Sequence, residues 1–182
     1  AAIAREAIDA FRKASGLYCR GRTATGEATD DPADLLATSY DQSFVILGLS
    51  TWGRLHPEED VTDELEACWN NVETLLRDPT TGMMLEHDGG FDPVARTSPN
   101  RAQNPHMHLF EAALQAFEMT GGNIWLERAG DMRTKGLEFF FDQNSGTITE
   151  FLAPDLSILP GRDGERREIG HQCEWAWLLM RE

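Results

Sequence analysis

Two segments of the sequence each carry a histidine followed three positions later by a glutamate. The first pair is His108 and Glu111 in "NPHMHLFEA", and the second is His171 and Glu174 in "GHQCEWAWLL". Residues three apart share one face of a helix, so each carboxylate can orient its imidazole or bind a substrate hydroxyl. An imidazole titrates near neutral pH and can therefore take up and return a proton at working pH. The two pairs predict a site for proton transfer.

A third segment fits the same pattern. Aligning Tyr40 with His108 and His171 gives "YDQSFVIL", "HLFEAALQ" and "HQCEWAWL", at intervals of 68 and 63 residues. Each interval is about the length of one helical hairpin with its loops, which indicates a weak internal repeat. Each of three helices therefore begins with a polar ring, and we expect the three rings to converge at one end of the fold.

Other chemistry is open to the same residues. His106 lies two positions before His108, about 200° away around a helix, so we interpret it as a structural or cavity-rim residue. His108, Glu111, His171 and Glu174 can in principle bind a metal ion. Helix bundles that bind iron use the reverse order, Glu-x-x-His, and the sequence has no HExxH motif or cysteine pair, so we expect no metal.

Composition narrows the class of partner. The formal net charge of −15 argues against binding nucleic acid or an anionic membrane surface, whereas a neutral sugar fits it. The sequence shows no signal-peptide pattern and no apolar run of transmembrane length. The three cysteines, Cys19, Cys68 and Cys173, form no CxxC motif, which favours free thiols in a reducing compartment and a cytoplasmic location.

The apolar periodicity predicts six helices, in residues 1–15, 40–55, 61–78, 104–120, 123–143 and 171–182. The first, third and fifth have one apolar stripe, and the others are apolar on most sides. This alternation is expected of a barrel of helical hairpins, in which an outer ring covers an inner ring. Asn104 and Pro105 suit a helix cap and a first helical position. Residues 79–100 are turn-rich and compatible with a hairpin that contains an exposed Glu86. Residues 146–152 and 156–170 fit short strands or extended loops.

The two histidine segments together resemble the N-acylglucosamine 2-epimerase superfamily, in particular its mannose isomerase and mannose-6-phosphate isomerase-like branch. "YDQSFVILGL" is similar to the tyrosine-containing inner-helix motif of that family, and the resemblance extends over essentially the whole chain. It implies an all-α fold, an (α/α)6 barrel of twelve helices with the site at one end of the inner ring. Six helices are half of that number. We therefore expect residues 1–182 to be a single domain, part of such a barrel whose remaining helices are absent from this chain.

The resemblance also implies roles for individual residues. His171 matches the proton-transferring histidine of the family, and Glu174 matches its companion carboxylate. The matching pocket residues around the sugar are Asn104, Met107, His108 and Tyr40, and we add Glu111 because it shares a face with His108.

The function implied is that of a sugar isomerase of carbohydrate metabolism. Such an enzyme interconverts an aldose and a ketose, as in mannose and fructose, by passing a proton between C2 and C1 through a cis-enediol. The reaction needs no cofactor, and its partner is a small-molecule sugar. A homodimer is compatible with the family, in which dimers are common. The family's arginine on an early inner helix and its second catalytic histidine have no counterpart in the sequence, so we expect the chain alone to be inactive.

Three alternatives stay open at the level of sequence. The first is a sugar 2-epimerase of the N-acylglucosamine or cellobiose type, which returns the C2 proton to the other face. The second is a helical-barrel glycoside hydrolase, with Glu111 and Glu174 as its two carboxylic acids. The third is a non-catalytic binding protein. The site hypothesis requires Tyr40, His108 and His171 to face one cavity.

Overall fold

The protein is mostly helical. The structure, a computed structural model, describes residues 2–89 and 100–182, without the side chains of residues 2–4 and 7. Within those residues the helices are α1 (Ala2–Phe11), α2 (Ser39–Leu55), α3 (Thr62–Leu75), α4 (Asn104–Thr120), α5 (Ile124–Phe140), α6 (Arg162–Glu165) and α7 (Ile169–Arg181). Because α6 is a single turn, the six predicted helices are confirmed for this part of the chain. A 3₁₀ turn at Pro32–Leu35 precedes α2.

The ends of α4 show how local sequence sets its bounds. The helix starts at Asn104 as predicted, but the capping position is Gln103, and Asn104 is the first helical residue. The prediction that Asn104 caps the helix was therefore wrong. Pro105 fits the first turn, where a backbone N–H has no partner within the helix. The helix ends at Thr120 because Gly121 turns the chain with a φ of 72°, which glycine adopts without strain.

In the part of the chain that the structure describes, four two-residue strands hold the loops together. β1 (Arg101–Ala102) pairs antiparallel with β4 (Phe151–Leu152), and β2 (Phe141–Asp142) pairs antiparallel with β3 (Thr147–Ile148). The β1–β4 ladder joins the segment before α4 to the loop that leads to α7. The predicted short strands in residues 146–152 are confirmed, whereas residues 156–170 contain α6. Part of the predicted hairpin, residues 90–99, lies outside the described residues.

Three helices, α2, α4 and α7, run parallel and form the inner layer. The ring of Tyr40 near the start of α2 contacts the ring of His108 near the start of α4. Further along the same two helices, Gln115 donates a 2.7 Å hydrogen bond to Thr51.

α7 runs in the same direction as α4, since Glu174 lies beside His108 near the helix starts and Arg181 bonds to Glu118 near their ends. α7 packs against α4, while α3 packs on α2 and α5 packs on α4 from outside. The arrangement is half of an (α/α)6 barrel, which confirms the predicted fold class.

Burial differs among the inner helices. Most of α4 is buried, because it has α2, α5 and α7 as neighbours. α2 and α7 stand at the two ends of the row, and the expectation that the inner helices are covered was wrong for one face of each. They expose large apolar side chains, which are Tyr40, Phe44 and Leu55 on α2 and Ile169, Trp177, Leu179 and Met180 on α7.

The core between the layers depends on one close approach. The Trp175 ring of α7 stacks on Phe110 of α4, with 6.0 Å between the ring centroids. It also lies against the backbone of α5 at Gly136, where an added Cβ would be 2.9 Å from Trp175 Cζ2. Only a residue without a side chain fits at this point of α5.

Two remaining expectations concern thiols and membranes. All three cysteines are free: Cys19 and Cys68 are buried and Cys173 is exposed. Burial raises the pKa of the Cys68 thiol to about 12. None of the described helices combines the length and the apolar character that a membrane span needs.

Candidate active site

The inner face of α4 carries a polar strip on an otherwise buried helix. Asn104, His108, Glu111 and Gln115 are each half-buried, while most of the residues between them are buried. Their spacing of four, three and four residues keeps them on one side of the helix. The predicted contact within the first pair is present, with 3.2 Å between His108 Nδ1 and Glu111 Oε2.

A cluster of side chains from all three inner helices surrounds this imidazole. Glu174 of α7 brings its Oε1 to 3.7 Å from His108 Nδ1. The Tyr40 ring meets the His108 ring edge-on at 4.9 Å between centroids, and Phe44 lies 5.4 Å away. We call Tyr40, Phe44, His108, Glu111 and Glu174 the His108 cluster. Because it joins α2, α4 and α7, the cluster lies at the end of the fold where these helices begin.

The His108 cluster offers both donors and acceptors. Ligand-capable atoms of His108, Glu111 and Glu174 lie within 4.8 Å of one another, so among the residues that the structure describes this is the group that could hold a metal ion. Two carboxylates that lean on one imidazole nitrogen also leave other oxygens free to accept hydrogen bonds from hydroxyl groups. The arrangement therefore suits a polyhydroxylated ligand as well as a cation.

His171 lies one helical turn before Glu174 but has a different partner. Its Nδ1 is 2.7 Å from Glu150 Oε2 and 3.7 Å from Glu168 Oε2. The predicted pairing of His171 with Glu174 is not the one observed, since Glu174 leans on His108 instead. The reason is that the imidazole turns toward the loop between β3 and β4, where Glu150 is buried.

Glu150 is the residue that the sequence-based prediction missed. It is 2% exposed, and its side chain accepts hydrogen bonds from the backbone N–H of Glu168 at 2.9 Å and from Gln103 Nε2 at 3.1 Å. Gln103 Oε1 in turn accepts a hydrogen bond from Trp175 Nε1 at 2.6 Å. The only signal in the sequence is an acidic residue within the apolar segment "TITEFL", which a search for helical spacing does not detect.

Of two further predicted site residues in α4, one lies on the polar strip and the other lies in the core. Asn104 lies on the polar strip, one turn before His108. Met107 has no exposed surface and belongs to the core, so the prediction that it lines the sugar pocket was wrong. It is adjacent to His108 in sequence, and adjacent residues on a helix point about 100° apart.

His106 has the structural role that was expected. It is fully buried, and its Nε2 accepts a 3.1 Å hydrogen bond from the backbone N–H of Met84. Burial lowers the pKa of His106 to about 4, so the ring is neutral at physiological pH. A neutral, fully buried imidazole on the far side of α4 has no access to a ligand at the polar strip.

The loop before β1 also departs from the expectation of an exposed turn. Glu86 is half-buried and its Oε1 accepts a 2.9 Å hydrogen bond from the backbone N–H of Ala102. Burial raises the pKa of this carboxyl group. The bond fixes the chain just before α4, so Glu86 supports the segment that leads into the polar strip.

An open groove continues from the His108 cluster along α2 and α4. Its volume is about 520 Å³, and its walls include Leu47, Thr51, Trp52, Leu55 and Gln115. The groove is largely apolar, but Glu111 lines it where it meets the His108 cluster and His56 lines it at the far end of α2.

Comparison with known proteins gives a consistent family. The sequence model of the N-acylglucosamine 2-epimerase (GlcNAc 2-epimerase) family matches residues 1–181. A mannose-6-phosphate isomerase of Rhizobium meliloti is 30% identical in an alignment of 175 residues that covers 94% of this chain and 42% of that protein. The chain thus spans less than half the length of this relative.

Solved structures give a similar result. A D-mannose isomerase superposes with a TM-score of 0.72 at 26% identity, covering 93% of this chain and 42% of the other. A cellobiose 2-epimerase from Spirochaeta thermophila superposes with a TM-score of 0.74 at 18% identity, covering 98% and 44%. At that identity the second likeness concerns the fold alone.

Proposed function

The chain belongs to the N-acylglucosamine 2-epimerase family, and on this premise we propose that the whole protein is a sugar aldose–ketose isomerase of the mannose–fructose type. The observation that carries the proposal is the His108 cluster, in which three inner helices meet, with His171 one turn away on α7. The choice of sugar rests on the 30% and 26% identities to a mannose-6-phosphate isomerase and a D-mannose isomerase.

The proposed reaction moves one proton between two carbons. The His171 imidazole takes the proton from C2 of the open-chain aldose, and the electron pair of the C–H bond forms the double bond of a cis-enediol. The imidazolium then returns the proton to C1, while the hydroxyl proton on O2 passes to O1 and C2 becomes the carbonyl carbon. Carbon is neither oxidised nor reduced overall, so the step requires no redox cofactor.

The His108 cluster has the role of holding the sugar. Glu111 and Glu174 accept hydrogen bonds from sugar hydroxyls, the His108 imidazole is oriented between them, and Asn104 adds an amide one turn earlier. Tyr40 packs edge-on against His108 and forms the wall on the side of α2. These contacts place C1 and C2 near the first turn of α7, where His171 lies.

A 2-epimerase is the second candidate, because the family includes such enzymes and the chemistry differs only in where the proton returns. A glycoside hydrolase is less well supported by the geometry. Its two carboxyl groups must flank the bond, with about 5–10 Å between them. In this chain a carboxylate oxygen of Glu111 and one of Glu174 lie 3.2 Å and 3.7 Å from the same atom, His108 Nδ1.

The proposal is tested by product analysis. The whole protein is incubated with mannose and, separately, with mannose 6-phosphate, and the products are resolved by chromatography. Fructose or fructose 6-phosphate is the expected product. Glucose alone would replace isomerase by epimerase, and no turnover of any free, phosphorylated, acylated or disaccharide sugar would overturn both.

Variants of the two histidines separate proton transfer from binding. We expect His171→Ala to lower kcat by about 10²–10⁴-fold, the usual contribution of general acid–base catalysis, with little change in sugar binding. His108→Ala should weaken binding and rate together, because the ring contacts the sugar. A folded His171→Ala enzyme that keeps more than about a tenth of wild-type kcat would contradict the role of His171.

A further inference from the structure

The hydrogen bonds that lead from the core to His171 have a defined direction. The indole nitrogen of Trp175 can only donate, so Gln103 Oε1 is the acceptor of their 2.6 Å bond. The amide group of Gln103 therefore points its NH₂ end at Glu150 Oε2, 3.1 Å away. The orientation of one buried tryptophan thus settles which end of the amide reaches the carboxylate.

Glu150 meets N–H donors at both of its oxygens. The backbone N–H of Glu168 donates to Oε1, and Gln103 donates to Oε2. A proton on either oxygen would face another N–H group, so the carboxylate form fits this environment. Burying a carboxylate is costly unless hydrogen bonds satisfy it, and here neighbouring groups do so. His171 Nδ1 is 2.7 Å from the same Oε2, a distance typical of a charge-assisted hydrogen bond.

We propose that Glu150 is a positioning residue that holds His171 in the tautomer with the proton on Nδ1, leaving Nε2 as the free base. An ionised carboxylate can only accept, so the Nδ1 of His171 must donate, and the neutral ring then carries its lone pair on Nε2. The catalytic part of this inference rests on the proposed isomerase or epimerase function. The tautomer itself does not.

A second carboxylate near the same nitrogen offers a matched control. Glu168 Oε2 lies 3.7 Å from His171 Nδ1, too far for a hydrogen bond, and its side chain is 37% exposed. Its other oxygen pairs with Arg166. Removing the charge of Glu168 changes the electrostatics near His171 but not the hydrogen bond that orients the ring.

The kinetic test uses Glu150→Gln, Glu150→Asp and Glu168→Gln in the whole protein. A Gln side chain at position 150 must turn its NH₂ toward one of the existing donors, so either His171 or the backbone N–H of Glu168 loses its acceptor, and the negative charge beside His171 is lost in both cases. We expect Glu150→Gln to lower kcat by about 10–100-fold, the range found for partners that orient metal-bound imidazoles, with KM within about threefold. Glu150→Asp keeps the carboxylate and should recover part of the rate. Glu168→Gln should leave kcat within about twofold.

Nitrogen NMR tests the tautomer without any substrate. The protein is labelled with ¹⁵N-histidine, the His171 signals are assigned by their loss in His171→Ala, and spectra are taken at a pH where the imidazole is neutral. We expect a protonated Nδ1 and an unprotonated Nε2 in the wild-type protein. This measurement is decisive even where Glu150→Gln fails to fold or no sugar is turned over.

Three results would overturn the proposal. The first is a wild-type His171 with its proton on Nε2. The second is a folded Glu150→Gln enzyme whose kcat stays within about threefold of wild type. The third is an equal loss of kcat in Glu150→Gln and Glu168→Gln, since that would assign the effect to nearby charge rather than to the oriented hydrogen bond.

Discussion

At the scale of residues, the two inner-face histidines differ in which carboxylates lie next to their Nδ1 atoms. His108 shares its nitrogen with two half-buried carboxylates, whereas His171 is bonded to the buried Glu150. The first arrangement leaves oxygens open for a ligand, and the second orients the ring. Each histidine precedes a glutamate by three positions, but the two imidazoles are suited to different tasks.

The contact between His108 and Glu111 was predictable from sequence and the contact between His171 and Glu150 was not. Residues i and i+3 meet on any regular helix, so the first contact needs only α4. The second depends on the β1–β4 ladder, which brings Glu150 beside the start of α7. The spacing of His171 and Glu174 permits a contact, but His171 contacts Glu150 and Glu174 contacts His108, both outside α7.

His106 makes the stability of the protein depend on pH. The unfolded chain binds a proton at this ring below about pH 6.5, whereas the folded protein does so only below about pH 4. The stabilisation is therefore complete above about pH 6.5 and is lost as the pH falls toward 4. The loss amounts to about 3 kcal/mol.

The measurement is urea unfolding at pH 7 and pH 4.5 for wild type, His106→Gln and His56→Gln. The glutamine at position 106 can still accept the hydrogen bond from Met84 but does not titrate. We expect the free energy of unfolding of His106→Gln to fall by about 2–3 kcal/mol less than that of wild type over this range. The exposed His56 is the control, and equal pH dependence in all three proteins would refute the role of His106.

At the scale of elements, helix ends that are set by local residues could be predicted from the sequence, whereas an end that is set by a long-range contact could not. The bounds of α4 follow from Pro105 and Gly121. α1 ends at Phe11 rather than Ser15, because Arg12 pairs with Tyr18 in an isolated bridge and Gly16 turns the chain with a φ of 84°. A bridge between two short segments leaves no periodic pattern in the sequence, so it could not be predicted.

Two glycines of α5 should respond in opposite ways to the same substitution. Gly136→Ala places a methyl group against the Trp175 ring, and we expect a loss of about 1–3 kcal/mol in the free energy of unfolding. Gly130 has only Arg133 Nη2 nearby, at 3.9 Å, so Gly130→Ala should stabilise the helix by about 0.5–1 kcal/mol.

Denaturant unfolding of both variants measures the difference, and intrinsic tryptophan fluorescence reports on Trp175. A Gly136→Ala protein that is as stable as Gly130→Ala would show that α5 and α7 are not in close contact. The same substitution should also weaken the hydrogen bond from Trp175 to Gln103, because the ring must shift away from α5.

At the scale of the whole molecule, the alternation of apolar stripes predicted the layered helical fold, and the structure confirms it. The alternation could not predict which inner helices are covered, because burial depends on the number of neighbours that each helix has. α4 is covered on both sides, whereas α2 and α7 each leave one face open, with Leu55 at 69% and Met180 at 80% exposure.

We expect the 182-residue chain by itself to show no sugar turnover. The chain corresponds to 42% of the mannose-6-phosphate isomerase relative, and the open faces of α2 and α7 leave the groove without an opposite wall. Assay of the chain beside the whole protein under the same conditions is the measurement. Turnover by the chain alone at a rate comparable to the whole protein would contradict this expectation.

The parallel course of α2, α4 and α7 has an electrostatic consequence. Aligned peptide dipoles give the start of each helix the effect of about half a positive charge, and here three such starts lie at one end of the layer. In the proposed isomerisation, negative charge develops on the sugar oxygens toward an enediolate as the C2 proton leaves. In a chain of net charge −15, with Glu111, Glu150 and Glu174 beside the site, side chains alone would repel that charge. For the proposed reaction, the backbone would therefore supply an attractive field for the enediolate at this end of the layer.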